Sequence, residues 1–109
     1  MATDKTEKYE LSRIGAQPVK NSGRGDHKKG DGVLFTDSGE AIYTCDVKEY
    51  SSSYALSISN ISKISTDARI NRTEPLLQVV LGKEEPRIRW VAITETMFLE
   101  MWELYKKEV

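Results

Sequence analysis

Two short apolar segments joined by the turn sequence DSGE at 37–40 limit what this chain can fold into more than any other feature. The segments 31–36 and 41–48 are rich in β-branched and aromatic residues, and a glycine-containing turn between two such segments predicts a β-hairpin. The open end of this hairpin brings one acidic residue opposite another. A tight turn centred on Ser38 and Gly39 would pair Phe35 with Ile42, Val33 with Thr44, and Asp31 with Asp46.

The rest of the sequence completes one α/β domain, residues 1–109, because a chain of 109 residues suffices for one hydrophobic core and not for two. The predicted elements follow the order α-β-β-α-β-β-α, which is typical of a mixed sheet with helices packed on its faces. Besides the hairpin, they are a helix within 1–14, a basic Gly/Ser loop at 15–30, a Ser-rich loop at 49–57, a helix at 58–71 capped by Ser57 or Ser59, strands at 74–82 and 87–94, and a helix at 95–108.

Two sets of apolar side chains recur at helical or strand spacing, and we expect both to be covered by other atoms. The first is the stripe Ile58, Ile61, Ile64 and Ala68 in the middle helix, which we expect to face the sheet. The second is aromatic and predicts either core or a dimer interface: Trp90, Phe98, Trp102 and Tyr105.

The charge of the chain is balanced overall but uneven along its length. The formal net charge of −1 excludes a general electrostatic argument for nucleic-acid binding. The segment 17–30 is nevertheless basic, with one acid, Asp26, and it predicts a local anionic partner. Its basic residues are Lys20, Arg24, Lys28 and Lys29.

Cysteine usage and hydropathy predict a cytoplasmic protein. Cys45 is the single cysteine, so the chain has no internal disulfide and a reducing compartment is expected. The first ten residues are charged and lack the apolar segment of a signal peptide. No apolar run approaches the length that spans a membrane, so we expect no membrane partner.

The open end of the predicted hairpin carries the residues that suggest chemistry. Directly opposite side chains lie about 5 Å apart at Cβ, where two like charges destabilise a sheet unless something offsets them. A divalent cation such as Mg²⁺ would do so, because it binds carboxylate oxygens and keeps several waters. Lys48 lies two residues beyond Asp46 and therefore on the same face. Two carboxylates and a lysine suit metal-assisted phosphodiester cleavage, whereas the alternative is a solvated hairpin end with a chance acid-x-lysine spacing.

Asp31 followed by Asp46-Val47-Lys48 on the next strand resembles the motif of the PD-(D/E)xK nuclease superfamily. The stretch NSGRGDHKKGD at 21–31 is similar to the Gly/Ser-rich loop of archaeal and phage Holliday junction resolvases. The stretch DVKEYSSSYALSISNISKI at 46–64 is similar to the segment after the catalytic strand of RecU-type resolvases. The resemblance implies a restriction-endonuclease-like three-layer sandwich with a mixed central sheet.

The resemblance also assigns roles to individual residues. Asp31 and Asp46 would bind Mg²⁺, with Mn²⁺ as a substitute, and the backbone carbonyl of Val47 would be a further ligand. Lys48 would be the catalytic lysine. The sequence departs from the family pattern at Gly30, where a proline is frequent, and at Asp46, where glutamate is more usual.

Members of this superfamily often supply another acid from the first helix. Glu10 and Glu7 are the two candidates here, and the sequence does not decide between them. Either could instead be an ordinary solvated helix residue.

The predicted DNA contacts fall in the two loops, from their basic and hydroxyl side chains, and on the following helix, where Lys63 is near a position that is glutamine in RecU-like proteins. Each has an ordinary alternative: His27 and its neighbours as a solvated loop, the serines as a linker, and Lys63 as an exposed lysine. Tyr54 could stack on a base, but we expect it to pack under its loop. The predicted DNA-binding residues are Lys20, Ser22, Arg24, His27, Lys28, Lys29, Ser51, Ser52, Ser53 and Lys63.

The functional expectation is a metal-dependent DNA endonuclease, and within that class a Holliday junction resolvase. Cutting a four-way junction symmetrically needs two active sites, so we expect a homodimer acting on branched DNA in the cytoplasm of a bacterial or phage-infected cell. One alternative is a phage endonuclease of another structure or sequence specificity. The alternative of a different class is a non-catalytic DNA-binding or phage assembly domain on the same scaffold.

Overall fold

A computed structural model describes residues 4–19 and 29–108 of the chain. These residues form three helices and five strands, so the predicted α/β class is confirmed. The helices are α1 (Asp4–Arg13), α2 (Ile58–Ile70) and α3 (Glu95–Glu108), and the strands are β1 (Gln17–Pro18), β2 (Gly32–Phe35), β3 (Ala41–Tyr50), β4 (Glu74–Leu81) and β5 (Ile88–Ile93).

The five strands form one mixed sheet in the order β1-β2-β3-β4-β5. β3 and β4 are parallel, and every other neighbouring pair is antiparallel. A parallel pair needs a crossover connection, which α2 supplies between β3 and β4. Ser57 caps α2, its hydroxyl accepting a hydrogen bond from the N–H of Asn60, as one of the two predicted caps would.

The predicted hairpin is present, and its register is correct at the end that carries the acids. Val33 pairs with Thr44 as expected. Nearer the turn, Phe35 pairs with Ala41 and not with Ile42. The reason is the turn itself: Thr36 N–H bonds to the Glu40 carbonyl at 2.8 Å, which leaves a three-residue turn with Gly39 at φ +91°. The extra residue on the β3 arm is accommodated as a bulge at Ile42.

Part of the predicted loop at 15–30 is wrong, because Gln17 and Pro18 form β1. They pair with Val33 and Gly32 at the edge of the sheet. Pro18 lacks an N–H to donate, and an edge strand tolerates this because one side of it needs no partner.

The core lies mainly between the sheet and α1. Alternation along β3 directs Tyr43, Cys45 and Val47 to this face. The remaining buried members of the cluster come from three other segments: Leu11, Ala16, Leu76 and Val80.

α2 covers the other face, with Ile64 and Ala68 buried against the sheet. The predicted stripe on this helix is half wrong, because Ile58 and Ile61 are exposed. They occupy the first turn of α2, at its N-terminal end. Among the described elements, no helix has both the length and the apolar character needed to cross a membrane.

Candidate functional site

Asp46 and Lys48 project from the centre of the sheet toward the face that α2 covers, as their spacing predicted. Asp46 is 7 % exposed, whereas Lys48 is partly open to solvent. Among the described residues Lys48 forms no ion pair. The β3 strand therefore carries, on one face, a buried acid and a lysine that has no ion pair in the described part of the chain.

Asp31 sits immediately before β2 and next to Asp46. Its N–H donates to the carbonyl of Cys45 at 2.9 Å, which continues the hairpin ladder by one residue. Its Oδ2 accepts a hydrogen bond from the N–H of Val47 at 2.8 Å. The structure thus brings Asp31, Asp46 and Lys48 together at the open end of the hairpin.

The electrostatics of Asp46 are those of a buried acid beside another acid. Burial is the main cause that raises its pKa, to about 6, and the charge of Asp31 adds to the effect. Asp67 raises the pKa further, while Lys48 and Lys63 act in the opposite direction. The Oδ2 atom of Asp46 is buried and has no hydrogen-bond partner among residues 4–19 and 29–108. A proton, a cation or an ordered water would satisfy this oxygen.

The backbone of Val47 offers a third oxygen to the same place. In an extended strand the N–H and C=O of one residue point to the same side, so the Val47 carbonyl faces the side on which Asp31 lies. No cluster of three or more acidic, histidine or cysteine side chains suited to a metal occurs in the described part of the chain. Two carboxylates and a carbonyl nevertheless suit Mg²⁺, which often takes one or two protein carboxylates and completes its shell with water and phosphate.

α2 contributes two charged residues that act on Asp46, and one of them was missed. Lys63 was a candidate, but Asp67 was not. They are four residues apart on the helix and flank the buried Ile64 and Ala68. That spacing beside a buried stripe was the available signal for Asp67.

The segment before Asp31 is held in place by backbone conformation and by a buried amide. Gly30 has φ +80°, which a proline cannot adopt, so glycine is required where the family frequently has proline. A Cβ at this position would also collide with the side chain of Thr44. Asn71, at the end of α2, donates to the carbonyl of Lys29 and to Thr44 Oγ1, both at 2.9 Å. Sequence reasoning missed Asn71, because its role depends on contacts across 42 residues.

Glu10 does not join the acidic pair. Its backbone carbonyl accepts a hydrogen bond from Gln78, which pairs with Val47 and so points to the sheet face opposite Asp46. The Glu10 carboxylate is 1 % exposed and receives two hydrogen bonds from Arg89, at 2.8 and 3.0 Å. The structure therefore corrects the expectation that Glu10 helps to bind the metal.

The charges around Glu10 form a network of their own. Arg89 also contacts Glu85, and Arg87 pairs with Glu49 at 3.0 Å. The pKa of Arg89 is raised by its hydrogen bonds to Glu10 and Glu85, and that of Glu85 is lowered to about 2 by Arg89. Glu7, the other candidate, lies one turn before Glu10 on α1 and is partly exposed.

The predicted DNA-binding residues are only partly described. Lys29 is exposed at the end of the basic loop, and Lys63 is exposed on α2. The serines at 51–53 are exposed directly after β3. The predictions for Lys20, Ser22, Arg24, His27 and Lys28 lie outside the described residues.

Tyr54 packs against the last residue of β3. Its ring stacks on that of Tyr50 with centroids 5.4 Å apart. Burial is the main cause that raises its pKa, with smaller contributions from Tyr50 and Asp46. The tyrosine pair thus lies beside the acidic site.

Comparison with known proteins identifies no relative: no family model, no curated protein and no solved structure matches the chain. Function is therefore inferred from the residues of the site themselves.

Proposed function

We propose that the protein is a metal-dependent DNA endonuclease that hydrolyses phosphodiester bonds. The observation that carries this proposal is the pair of neighbouring carboxylates, Asp31 and Asp46, with Lys48 on the same face. The buried, unpartnered Oδ2 of Asp46 is an oxygen suited to a cation. The sheet with α1 on one face and α2 on the other fits the restriction-endonuclease-like three-layer sandwich that goes with this activity.

Asp31, Asp46 and the Val47 carbonyl would hold Mg²⁺, or Mn²⁺ in its place. Such an ion polarises a phosphoryl oxygen and lowers the pKa of a bound water. Above pH 6 Asp46 is mainly ionised, which is the form that binds a cation. Its burial strengthens that attraction, because few waters screen it.

Lys48 would act on the substrate. Its side chain extends from the same face as Asp46 but reaches solvent, where a DNA backbone can approach. An ammonium there donates hydrogen bonds to the attacking water and stabilises the charge that develops on the phosphoryl oxygens. Lys29, Lys63 and the basic loop would contact the flanking phosphates.

The substrate proposed within this class is a four-way DNA junction. The support is the resemblance of 21–31 and 46–64 to junction resolvases. One chain carries one such site, so two symmetric cuts need two chains, and the protein would act as a homodimer.

The test compares a labelled four-way junction with a linear duplex of the same arm sequences, in Mg²⁺, in Mn²⁺ and in EDTA. Wild type is expected to cut the junction at paired symmetric positions, with metal only. Asp46→Asn and Lys48→Ala should bind the junction without cutting it. The matched controls Asp37→Asn and Lys83→Ala change exposed residues outside the site and should cut like wild type.

Other outcomes separate the alternatives. Nicking of the linear duplex at the same rate as the junction would reject the resolvase assignment and keep the nuclease. If no divalent metal supports cleavage while all variants bind DNA equally, the chain is a non-catalytic DNA-binding domain.

A further inference from the structure

α3 exposes large apolar side chains on a side that the rest of the described chain leaves uncovered. None of its residues is buried. One row of the helix faces the domain: Met97 packs against the core cluster, and Met101 Sδ accepts a hydrogen bond from the hydroxyl of Tyr43. A second row points away and is 54 %, 43 % and 60 % exposed at Phe98, Trp102 and Tyr105.

The exposed row has helical order. Phe98, Trp102 and Tyr105 are spaced i, i+4, i+7, so they form one continuous stripe, which we call the α3 aromatic stripe. The stripe is turned about 100° from the row of Met97 and Met101, at 100° per residue. The rings of Trp102 and Tyr105 contact each other, with centroids 5.8 Å apart. A row of this kind on a monomer marks an interaction surface.

We propose that the α3 aromatic stripe is the interface with a second copy of this chain. The two α3 helices pack antiparallel across a two-fold axis near Trp102. Each copy then presents the same patch to the other, as a closed two-fold dimer requires.

The spacing of the stripe is self-complementary in this arrangement. Phe98 lies four residues before Trp102, and Tyr105 lies three residues after it. A two-fold axis at the centre therefore brings Phe98 of one copy against Tyr105 of the other, and the two Trp102 rings face each other. Aromatic side chains of this kind dominate the energy of protein interfaces.

The charges at the two ends of α3 fit the same antiparallel pairing. Glu95 is in the first turn, and Lys106 and Lys107 are in the last turn. Antiparallel packing places Glu95 of each copy near Lys106 of the other, where opposite charges attract. Lys106 also pairs with Glu103 of its own helix at 2.7 Å. A parallel pairing would place like charges together.

The α3 aromatic stripe supplies the centre of such an interface but less than half of its area. A standard interface buries about 800 Å² per partner. An aromatic side chain contributes about 150–250 Å² when buried from a fully exposed state, and those of the stripe remain about half exposed. The stems of the flanking charged residues would supply the rest of the buried area. A lipid surface is disfavoured as the occupant, because α3 carries four glutamates against two lysines, whereas helices that lie on membranes are rich in lysine and arginine.

The surface is inferred from α3 alone and does not depend on the catalytic proposal. A second copy bound at this surface would, however, bring the second active site that symmetric junction cleavage needs. The test therefore measures molecular mass and not cleavage. A monomeric protein would overturn the interface without bearing on the endonuclease proposal, and absence of cleavage would leave the interface untouched.

The experiment is sedimentation equilibrium over a concentration series, with helical content checked by circular dichroism. Wild type should reach twice the 12.4 kDa of one chain. Trp102→Lys should raise the dimer dissociation constant by about thirtyfold or more, as expected for a central aromatic of an interface. Ile58→Lys is the matched control: it also places a lysine at an exposed apolar residue, but on α2, and should leave the constant unchanged.

A charge exchange tests the orientation. Glu95→Lys should weaken the dimer, and Glu95→Lys combined with Lys106→Glu should restore it, because the two charges of the pair are then exchanged. Wild type that stays monomeric at the highest soluble concentration overturns the proposal. So does a dimer that Trp102→Lys leaves intact, since the second copy would then bind elsewhere.

Discussion

The Asp31 carboxylate accepts a hydrogen bond from the N–H of Val47 at 2.8 Å, and this N–H lies one residue beyond Asp46 on β3. The two acids are neighbours, but their carboxylates differ in hydrogen bonding. The Asp31 charge is stabilised by a backbone donor, whereas Oδ2 of Asp46 is buried without one among the described residues. The site therefore contains one anchored carboxylate and one that gains stability when it takes up a proton or a cation.

The first prediction concerns pH and stability in the absence of metal. The folded-state pKa of Asp46 is raised from its ordinary value of 3.8 to about 6, so the folded protein binds more protons than the unfolded chain between these values. Stability therefore falls as pH rises through this window, by about 2 to 3 kcal/mol at full ionisation. Asp46→Asn removes this penalty. The difference in free energy of unfolding between Asp46→Asn and wild type should therefore rise by this amount from pH 4 to pH 8.

Urea unfolding in EDTA at the two pH values measures this gain. Asp37→Asn, in the exposed hairpin turn, is the control and should track wild type at both values. A pH-independent difference between Asp46→Asn and wild type would contradict the burial of an ionisable Asp46.

The second prediction separates the neighbours that act on Asp46. Asp31 is a larger cause of its raised pKa than Asp67. Asp31→Asn and Asp67→Asn should both lower the Asp46 pKa, with the greater shift for Asp31→Asn. Carboxyl-carbon NMR titration of Asp46 measures both. Equal shifts, or a greater one for Asp67→Asn, would place α2 closer to the acid than the structure does.

How far the sequence anticipated this arrangement depends on the range of the contacts. The alternation of β3 and the pairing of Val33 with Thr44 are local, and they were sufficient to bring Asp31, Asp46 and Lys48 to one face. The bulge at Ile42 was missed, because it follows from the closing hydrogen bond of the turn and not from the hydrophobic pattern.

The errors concern contacts between distant segments. Glu10 was grouped with the metal site because it is an acid on the first helix, but its bond to Arg89 joins residues 79 apart. Asn71 holds the Asp31 segment through a contact of the same kind. The stripe on α2 had the correct period, yet the burial of Ile58 depended on what packs beside its first turn. A pattern gives the face of a helix but not how much of that face is covered.

The third prediction distinguishes positioning from chemistry at Lys48. Lys48→Met removes the ammonium and keeps most of the aliphatic stem, so the fold should persist. Because Lys48 lowers the Asp46 pKa, the variant should raise it and weaken Mg²⁺ binding below neutral pH only. Cleavage should be lost at every pH. Calorimetric Mg²⁺ titrations at pH 6 and pH 8, set beside junction cleavage at the same values, test both parts; recovery of cleavage at pH 8 would assign Lys48 an electrostatic role alone.

The fourth prediction concerns Glu10, whose ion pair with Arg89 joins α1 to β5 on the face opposite Asp46. Glu10→Gln leaves the Arg89 guanidinium with Glu85 as its acidic partner, and the loss of a hydrogen bond to a charged group costs about 1.5–3 kcal/mol. Arg89→Met in the same chain should recover part of the loss, because the donor that lost its buried acceptor is then gone.

Urea unfolding of wild type, the two single variants and the double variant measures the coupling between Glu10 and Arg89. Under conditions in which every variant is folded, Mg²⁺ affinity should equal that of wild type, because the Glu10 carboxylate is on the other side of the sheet from Asp31 and Asp46. An acid that helped to hold the metal would behave in the opposite way. Glu10→Gln would then weaken Mg²⁺ binding without a matching loss of stability, and Arg89→Met would not compensate.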